Sequence, residues 1–460
     1  MPQLYDLNIA QASGAIRTGE VSSVELSTAL LDLIDELEPS LHAWVTIDRE
    51  EVLGAAHRRD QQAAEGDVLG PLHGVPIGLK DIYYTAGMKT TACSKVLADF
   101  VPDHDATSVV RLKQAGAIVL GKAVTTEFAT SDPSPTINPW NASRTPGGSS
   151  SGSSVAVATR MCAGALGSQT AGSTCRPAAY NGIVGLKGTY GRVSRFGVIP
   201  VSYSMDTVGI LTRTVEDAGI MLDAMAGYDP NDPCSAWEPV DEYREMLNSP
   251  ILAPRIGLIR EFFLENCDAE TRRHTEEMAQ HFASRGADVV EVSLPPNFAT
   301  IYAAHRTITD VECSAYHEDM FNARADDYSP KLRGWIEIGK LIPGVHYLQA
   351  QRLRRRHRAE MDALARSVDV LLTPSAPSPA PPLDGGTTGS PMFQTPWTSA
   401  GLPTISLPSG LSLEGLPLGI QLEGHLFGEG KLLAAARWCE KAIGLELMPP
   451  VVPTAPRPRM

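Results

Sequence analysis

One tract constrains this chain more than any other. Between residues 145 and 177 it reads Thr145-Pro-Gly147-Gly148-Ser149-Ser150-Ser151-Gly152-Ser-Ser-Val155-Ala-Val-Ala158, then Gly167-Ser168-Gln169-Thr170-Ala171-Gly172-Ser173-Thr-Cys-Arg176-Pro177. Glycine and serine in this density suit a flexible linker. The flanks argue otherwise. The first half runs straight into Val155-Ala-Val-Ala158, then Met161, Cys162 and Ala163, a small apolar stretch that lets a helix pack closely in an interior. A linker is not joined directly to a buried helix, so the tract reads as part of a core. In the second half, Gly and Ala around a serine let successive backbone N–H groups point into one space, a nest that can hold a developing oxyanion. A turn without chemistry would need the same glycines, so this half alone is only suggestive.

The remaining pattern is that of an α/β protein. Ser22 and Glu25 form an S-x-x-E capping box, and Leu26, Leu30, Leu33, Ile34 and Leu37 make one apolar helical stripe that ends before Pro39. Strand-length apolar runs follow at 117–120, 256–259, 289–294, 370–372 and 404–407. Residues 255–294 read as strand, helix (about 268–285) and strand, a βαβ unit that implies parallel pairing and a helix-covered sheet. Residues 300–360 are helical and polar, an insertion over one face. The Pro-rich end from Pro449 reads as an extended tail, which leaves one domain over residues 1–448.

Composition excludes several function classes. The 460 residues carry a formal charge of −14, which disfavours nucleic acid or an anionic membrane as a general partner. The basic run Arg352–Arg358 spreads around a helix and reads as solvated surface. Seven cysteines without CxxC spacing suggest reduced thiols in a cytoplasmic protein. The N-terminus lacks a signal-peptide pattern and no apolar run reaches membrane-spanning length. Gly116-Ala-Ile-Val-Leu-Gly121-Lys122 resembles a phosphate loop, but Ala123 has no hydroxyl for magnesium and the intervening residues suit a buried strand. No metal-ligand spacing stands out, so neither metal nor cofactor is expected. No G-x-S-x-G elbow supports an α/β-hydrolase.

Gly74-Val-Pro-Ile-Gly-Leu-Lys80-Asp81, the two halves of the Gly/Ser tract, and Gly182-Ile-Val-Gly-Leu-Lys-Gly-Thr-Tyr-Gly-Arg192 together resemble the amidase signature family. Asp369–Pro374, Gly401–Pro408 and Gly415–Gln421 extend the resemblance along nearly the whole chain. It implies a central mixed, twisted β-sheet covered by helices on both faces. It also implies a Ser–cis-Ser–Lys triad: Lys80 as base, Ser149 after a cis peptide, and Ser173 as nucleophile, the serines 24 positions apart. The backbone N–H groups of Thr170, Ala171, Gly172 and Ser173 would form the oxyanion hole. Two departures stand out. Gln169 replaces a common Asp, which removes a charge near the hole, and Ala171 replaces a common Gly.

The chemistry explains the residue types. Serine needs a base to become a nucleophile, and lysine is a base only when neutral. Moving its pKa from about 10.4 to 7–8 requires roughly 3–4 kcal/mol of bias against the ammonium, which burial supplies. Lys80 ends the apolar run Val75–Leu79, as a lysine delivered into an interior would. The expected function is hydrolysis of small or aryl amides, with carbamates and esters open to the same acylation. The alternatives are a glutamine-hydrolysing A subunit of an amidotransferase and a non-catalytic binding protein on the same fold. The expected partner is a small-molecule amide, with neither nucleic acid nor membrane; a homodimer is one arrangement consistent with this. Specificity is expected from residues 127–140 and from the helical stretch 300–350, where Tyr302, Tyr316, Phe321, Trp335 and Ile338 are pocket candidates.

Overall fold

A computed structural model describes residues 3–248 and 252–453. Eleven strands form one mixed sheet: β1 (Trp44–Thr46), β2 (Pro76–Lys80), β3 (Ile118–Ala123), β4 (Gly164–Gln169), β5 (Val184–Lys187), β6 (Thr207–Thr212), β7 (Arg255–Leu258), β8 (Asp288–Glu291), β9 (Val370–Pro374), β10 (Thr404–Leu411) and β11 (Pro417–Glu423). Their spatial order is β1-β3-β2-β4-β6-β5-β10-β11-β9-β7-β8. β2 runs parallel to both β3 and β4, and β7 runs parallel to β8 and β9. The stretch from β4 through β6, β5, β10 and β11 to β9 is antiparallel throughout.

Every residue of β2, β4, β5, β6 and β9 is buried. A strand buried at every position has both faces covered, which accounts for continuous apolar runs where alternation would mark a solvated face. The cover is helical. Ser151–Ala158 lies against β2, β3, β4 and β6, Cys175–Asn181 against β5, β10 and β11, and Ala269–Ser284 against β8, β9 and β11.

The predicted capping box is present, with Ser22 Oγ accepting from the Glu25 N–H while Glu25 accepts from the Ser22 N–H. The helix it opens, Ser23–Leu41, runs through Pro39 instead of stopping before it. The proline falls in the last turn, where its missing N–H costs one bond, and His42 closes the helix in the left-handed region with φ 51°. The βαβ unit forms as read, β7 and β8 flanking Ala269–Ser284.

Residues 300–360 become three long helices, Ile301–Arg324, Pro330–Leu341 and Gly344–Ala365; the first packs on both others, and the first and third pack on the short helix Thr395–Ala400. The basic run is not all solvated. Arg354 reaches inward to donate to Ser399 O (2.9 Å) and Ser204 O, and His357 is buried. Within the Pro-rich end, Val452 is buried and Pro453 O accepts from the Tyr5 hydroxyl (3.3 Å), so the tail begins packed; residues 454–460 lie outside the described part.

The Gly/Ser tract is core, and one of its glycines shows why. All eight residues of Ser151–Ala158 are buried. A Cβ on Gly152 would lie 2.2 Å from Ala43 O and 2.5 Å from Val124 N, both backbone atoms that cannot swing aside. Gly152→Ala is expected to cost at least about 3 kcal/mol, the upper end of overpacking losses. Gly14→Ala, in helix Ile9–Thr18 with open space at its Cβ, should be neutral or stabilising by about 0.5–1 kcal/mol. Urea unfolding midpoints check the pair; equal midpoints would contradict the close approach at 152.

Candidate active site

Lys80 is the last residue of β2 and has no exposed surface. Parallel pairing with β4 brings its amine to Ser168, and the chain entering helix Ser151–Ala158 brings Ser149 and Ser150. The Lys80 Nζ lies 2.7 Å from Ser149 Oγ, 2.9 Å from Ser168 Oγ and 3.2 Å from Ser150 Oγ. Among the described residues no carboxylate is bonded to it. Burial lowers its pKa to about 7, against a smaller opposing pull from Asp206 and Cys93. A neutral amine has two N–H donors and one lone pair. Ser150 Oγ already donates to Ser168 O (3.3 Å), so it serves the amine as an acceptor.

The Ser149 segment is held from several sides. Gly147 has φ 81°, which a side chain would resist, and the Gly148–Ser149 peptide is cis. Arg176 is buried and acts as its clamp: Nη2 donates to Gly148 O and Thr388 Oγ1, and Nη1 donates to Gly389 O (2.8 Å). Ser149 O accepts from the Thr126 N–H (3.2 Å), and the Ser150 N–H donates to Ser173 O (3.3 Å). The Ser149 and Ser173 segments are therefore tied through backbone, while their hydroxyls are not hydrogen-bonded to each other.

The loop after β4 carries the other half of the site. The N–H groups of Thr170, Ala171, Gly172 and Ser173 have no hydrogen-bond partner among the described residues. The next two, of Thr174 and Cys175, both donate to Gln169 Oε1 at 3.0 Å. Gln169 thus absorbs the first N–H groups of helix Cys175–Asn181 and leaves the four before them open. Its Nε2 donates to Thr398 Oγ1 (3.0 Å), which donates to Ala171 O (2.7 Å). A carboxylate could make the first pair of bonds but could not donate to Thr398 Oγ1 while that hydroxyl donates to Ala171 O, so the amide suits this neighbour. Ala171 does not take a positive φ, so alanine is accommodated without backbone strain. Thr170 Oγ1 donates to Asp206 Oδ1 (2.5 Å), and Asp206 Oδ2 accepts the N–H groups of Val201 (2.7 Å) and Ser202 (2.9 Å). Burial raises the Asp206 pKa, and these bonds oppose that rise.

Ser173 opens on a cavity of about 580 Å³. Thr170, Ala171 and Arg176 line it beside Ser173; Tyr302 and Trp335 come from the helical layer, and Ala129, Thr130 and Ser131 from the 127–140 stretch. Both segments expected to shape specificity therefore contribute. Of the five pocket candidates only Tyr302 and Trp335 line the cavity. Phe321 is core, Tyr316 packs against the core, and Ile338 is half exposed. Sequence reasoning did not single out Ser150, Ser168, Asp206 or Thr398. Ser150 and Ser168 adjoin motif residues and carried a signal; Asp206 and Thr398 arrive through tertiary packing alone. Among the described residues, no group of three or more His, Cys, Asp or Glu side chains is placed to hold a metal ion, and no helix is long and apolar enough to cross a membrane.

Comparison with known proteins places the chain in a family. The Amidase family model matches residues 25–433. The A subunit of the glutamyl-tRNA(Gln) amidotransferase of Geobacter metallireducens is 38% identical over 96% of this chain and 98% of its own length. The native peptide amidase of Stenotrophomonas maltophilia superposes with a TM-score of 0.86 at 33% identity, over 97% of this chain and 99% of its own. A chain from a vestigial protein complex that reveals the evolutionary origins of an s-triazine catabolic enzyme gives a TM-score of 0.89 at 31% identity, over 96% and 99%. The chain belongs to the Amidase family, the amidase signature enzymes.

Proposed function

We propose that the chain hydrolyses the C–N bond of carboxamides through an acyl-enzyme on Ser173. One observation carries this reading. A buried lysine amine with its pKa near 7 meets Ser149 at 2.7 Å, beside four unpaired backbone N–H groups and a serine that opens on a cavity.

The course follows from the chemistry of these groups. Ser173 Oγ attacks the carbonyl carbon. Its proton passes to Ser149 Oγ, and the Ser149 proton passes to the Lys80 lone pair. The carbonyl oxygen becomes an oxyanion held by the N–H groups of 170–173. The ammonium on Lys80 returns a proton through Ser149 to the departing nitrogen, and the C–N bond breaks. Water then attacks the acyl ester by the same relay, which releases acid and Ser173. The Ser149–Ser173 contact closes when substrate is bound, as catalytic hydrogen bonds commonly tighten in the complex.

Small or aryl amides are one substrate reading, supported by Tyr302 and Trp335 in the cavity wall; carbamates and esters are open to the same acylation. The other reading, a glutamine-hydrolysing component of an amidotransferase, has the stronger support from the comparisons, in relatives named as amidotransferase A subunits over nearly the full length. Both share the same acylation step.

Ser173→Ala should lower kcat at least about 10⁴-fold while leaving the melting temperature within a few degrees, since nucleophile and relay act as a unit. Lys80→Arg should be as inactive, because a guanidinium keeps its proton. Wild-type-like turnover in either variant would refute the assignment. Ammonia release from glutamine against aniline release from acyl anilides, by the isolated chain, separates the two substrate readings. Anilide turnover without glutaminase activity favours the amidase, and the reverse favours the amidotransferase reading.

A further inference from the structure

The cavity that Ser173 faces is electrostatically one-sided. Its lining includes Arg176, Arg306 and Lys331 and no Asp or Glu, on a chain whose net charge is −14. The three cations differ in what they have left to give. Arg176 spends its terminal nitrogens on Gly148, Thr388 and Gly389, and Lys331 donates to Gly386 O. Arg306 is bonded only through Nε, to Asp310 Oδ2 at 2.8 Å. Its two terminal nitrogens have no hydrogen-bond partner among the described residues.

Arg306 is half-exposed, but its guanidinium is anchored on two sides. Asp310 is one helical turn along Ile301–Arg324 and is buried, and the guanidinium lies over the Trp335 ring at 4.5 Å from its centroid. A guanidinium fixed through Nε and by stacking presents its two-nitrogen edge ready-made. That edge matches a carboxylate in a bidentate fork, with little rotamer freedom left to lose. Two further carboxylates behind the lining are also engaged: Asp132 accepts from Ser329 Oγ and the Leu332 N–H, and Asp206 accepts from Thr170 and the N–H groups of Val201 and Ser202. His305, buried against Ser399, is driven by burial to a pKa of about 3 and adds no charge.

We propose that this cavity selects amides whose far end carries a carboxylate without a neighbouring ammonium, the carboxylate seated on the free edge of Arg306 with Lys331 alongside. The proposal rests on the hydrolase reading above and narrows it. A free α-amino acid amide such as glutamine brings an ammonium for which the lining offers no anionic partner, and that ammonium would face Arg176, Lys331 and the ion-paired Arg306.

The test uses primary amides in matched pairs: the half-amides of succinic, glutaric and adipic acids against butyramide, pentanamide and hexanamide, with glutamine against glutaric half-amide. Ammonia release is measured for the full chain. At least one half-amide should exceed its neutral partner in kcat/KM by about tenfold or more, the range expected for a charge-assisted bond, and glutaric half-amide should exceed glutamine. Arg306→Gln should bring the carboxylate-to-neutral ratio to within about threefold, and Lys331→Gln should lower it less, because its contact is a point charge and not a fork. Circular dichroism and melting establish that each variant is folded. A wild-type ratio near one, no turnover of any half-amide, a ratio unchanged in Arg306→Gln, or a preference for glutamine overturns the proposal. Labelling of wild-type Ser173 by an uncharged fluorophosphonate is read separately. A labelled serine with a flat ratio means the anion site fails; an unlabelled serine means the hydrolase reading fails.

Discussion

The site depends on keeping one amine away from water and away from carboxylates. An ammonium at position 80 would lose its hydration and find only three serine hydroxyls in return. The pKa drop from 10.5 to about 7 corresponds to roughly 5 kcal/mol against the charged form. Most of the surrounding architecture serves that end. β2 is buried at every residue, its two parallel neighbours shield it laterally, and the small-residue helix Ser151–Ala158 covers it closely.

Two other buried lysines show why burial alone does not make a base. Burial lowers Lys122 and Lys187 to about 8. Lys122 donates to Tyr83 O and Thr90 Oγ1, and Lys187 donates to the carbonyls of Gly188 and Leu402. A carbonyl accepts a hydrogen bond but cannot pass a proton on. Of the three, only the Lys80 amine meets a hydroxyl on the segment tied to Ser173. The difference lies in where the acceptor leads: the Thr90 hydroxyl beside Lys122 turns to the carbonyls of Tyr83 and Met88, not to a nucleophile.

Much of this was legible in the chain. Lys80 at the end of an apolar run, Ser149 and Ser173 in motif, and the βαβ unit at 255–294 all depend on local sequence, and local sequence signals them. What was missed depends on distant pairing. Ser168 joins the lysine because β4 lies beside β2 in parallel register, and Asp206 reaches Thr170 across 36 residues. Arg354, read as surface, turns inward because the carbonyls of Ser399 and Ser204 lie beneath it. Pro39 misled for another reason: a proline in the last turn removes a single bond and need not end a helix. The role of Gln169 needed both its partners in view, two N–H groups on one side and the Thr398 hydroxyl on the other.

The protonation state of Lys80 is the centre of the account, and the reaction of Ser173 with an uncharged fluorophosphonate reads it without interference from an ionising substrate. The labelling rate should rise with pH through a single midpoint near 7 and stay level to about pH 9, because the lowered pKa leaves the amine neutral above it. In Lys80→Met the limb should vanish along with most of the rate. A labelling rate that does not change between pH 5.5 and 9, or a midpoint near that of an ordinary solvated lysine at about 10.4, would contradict it.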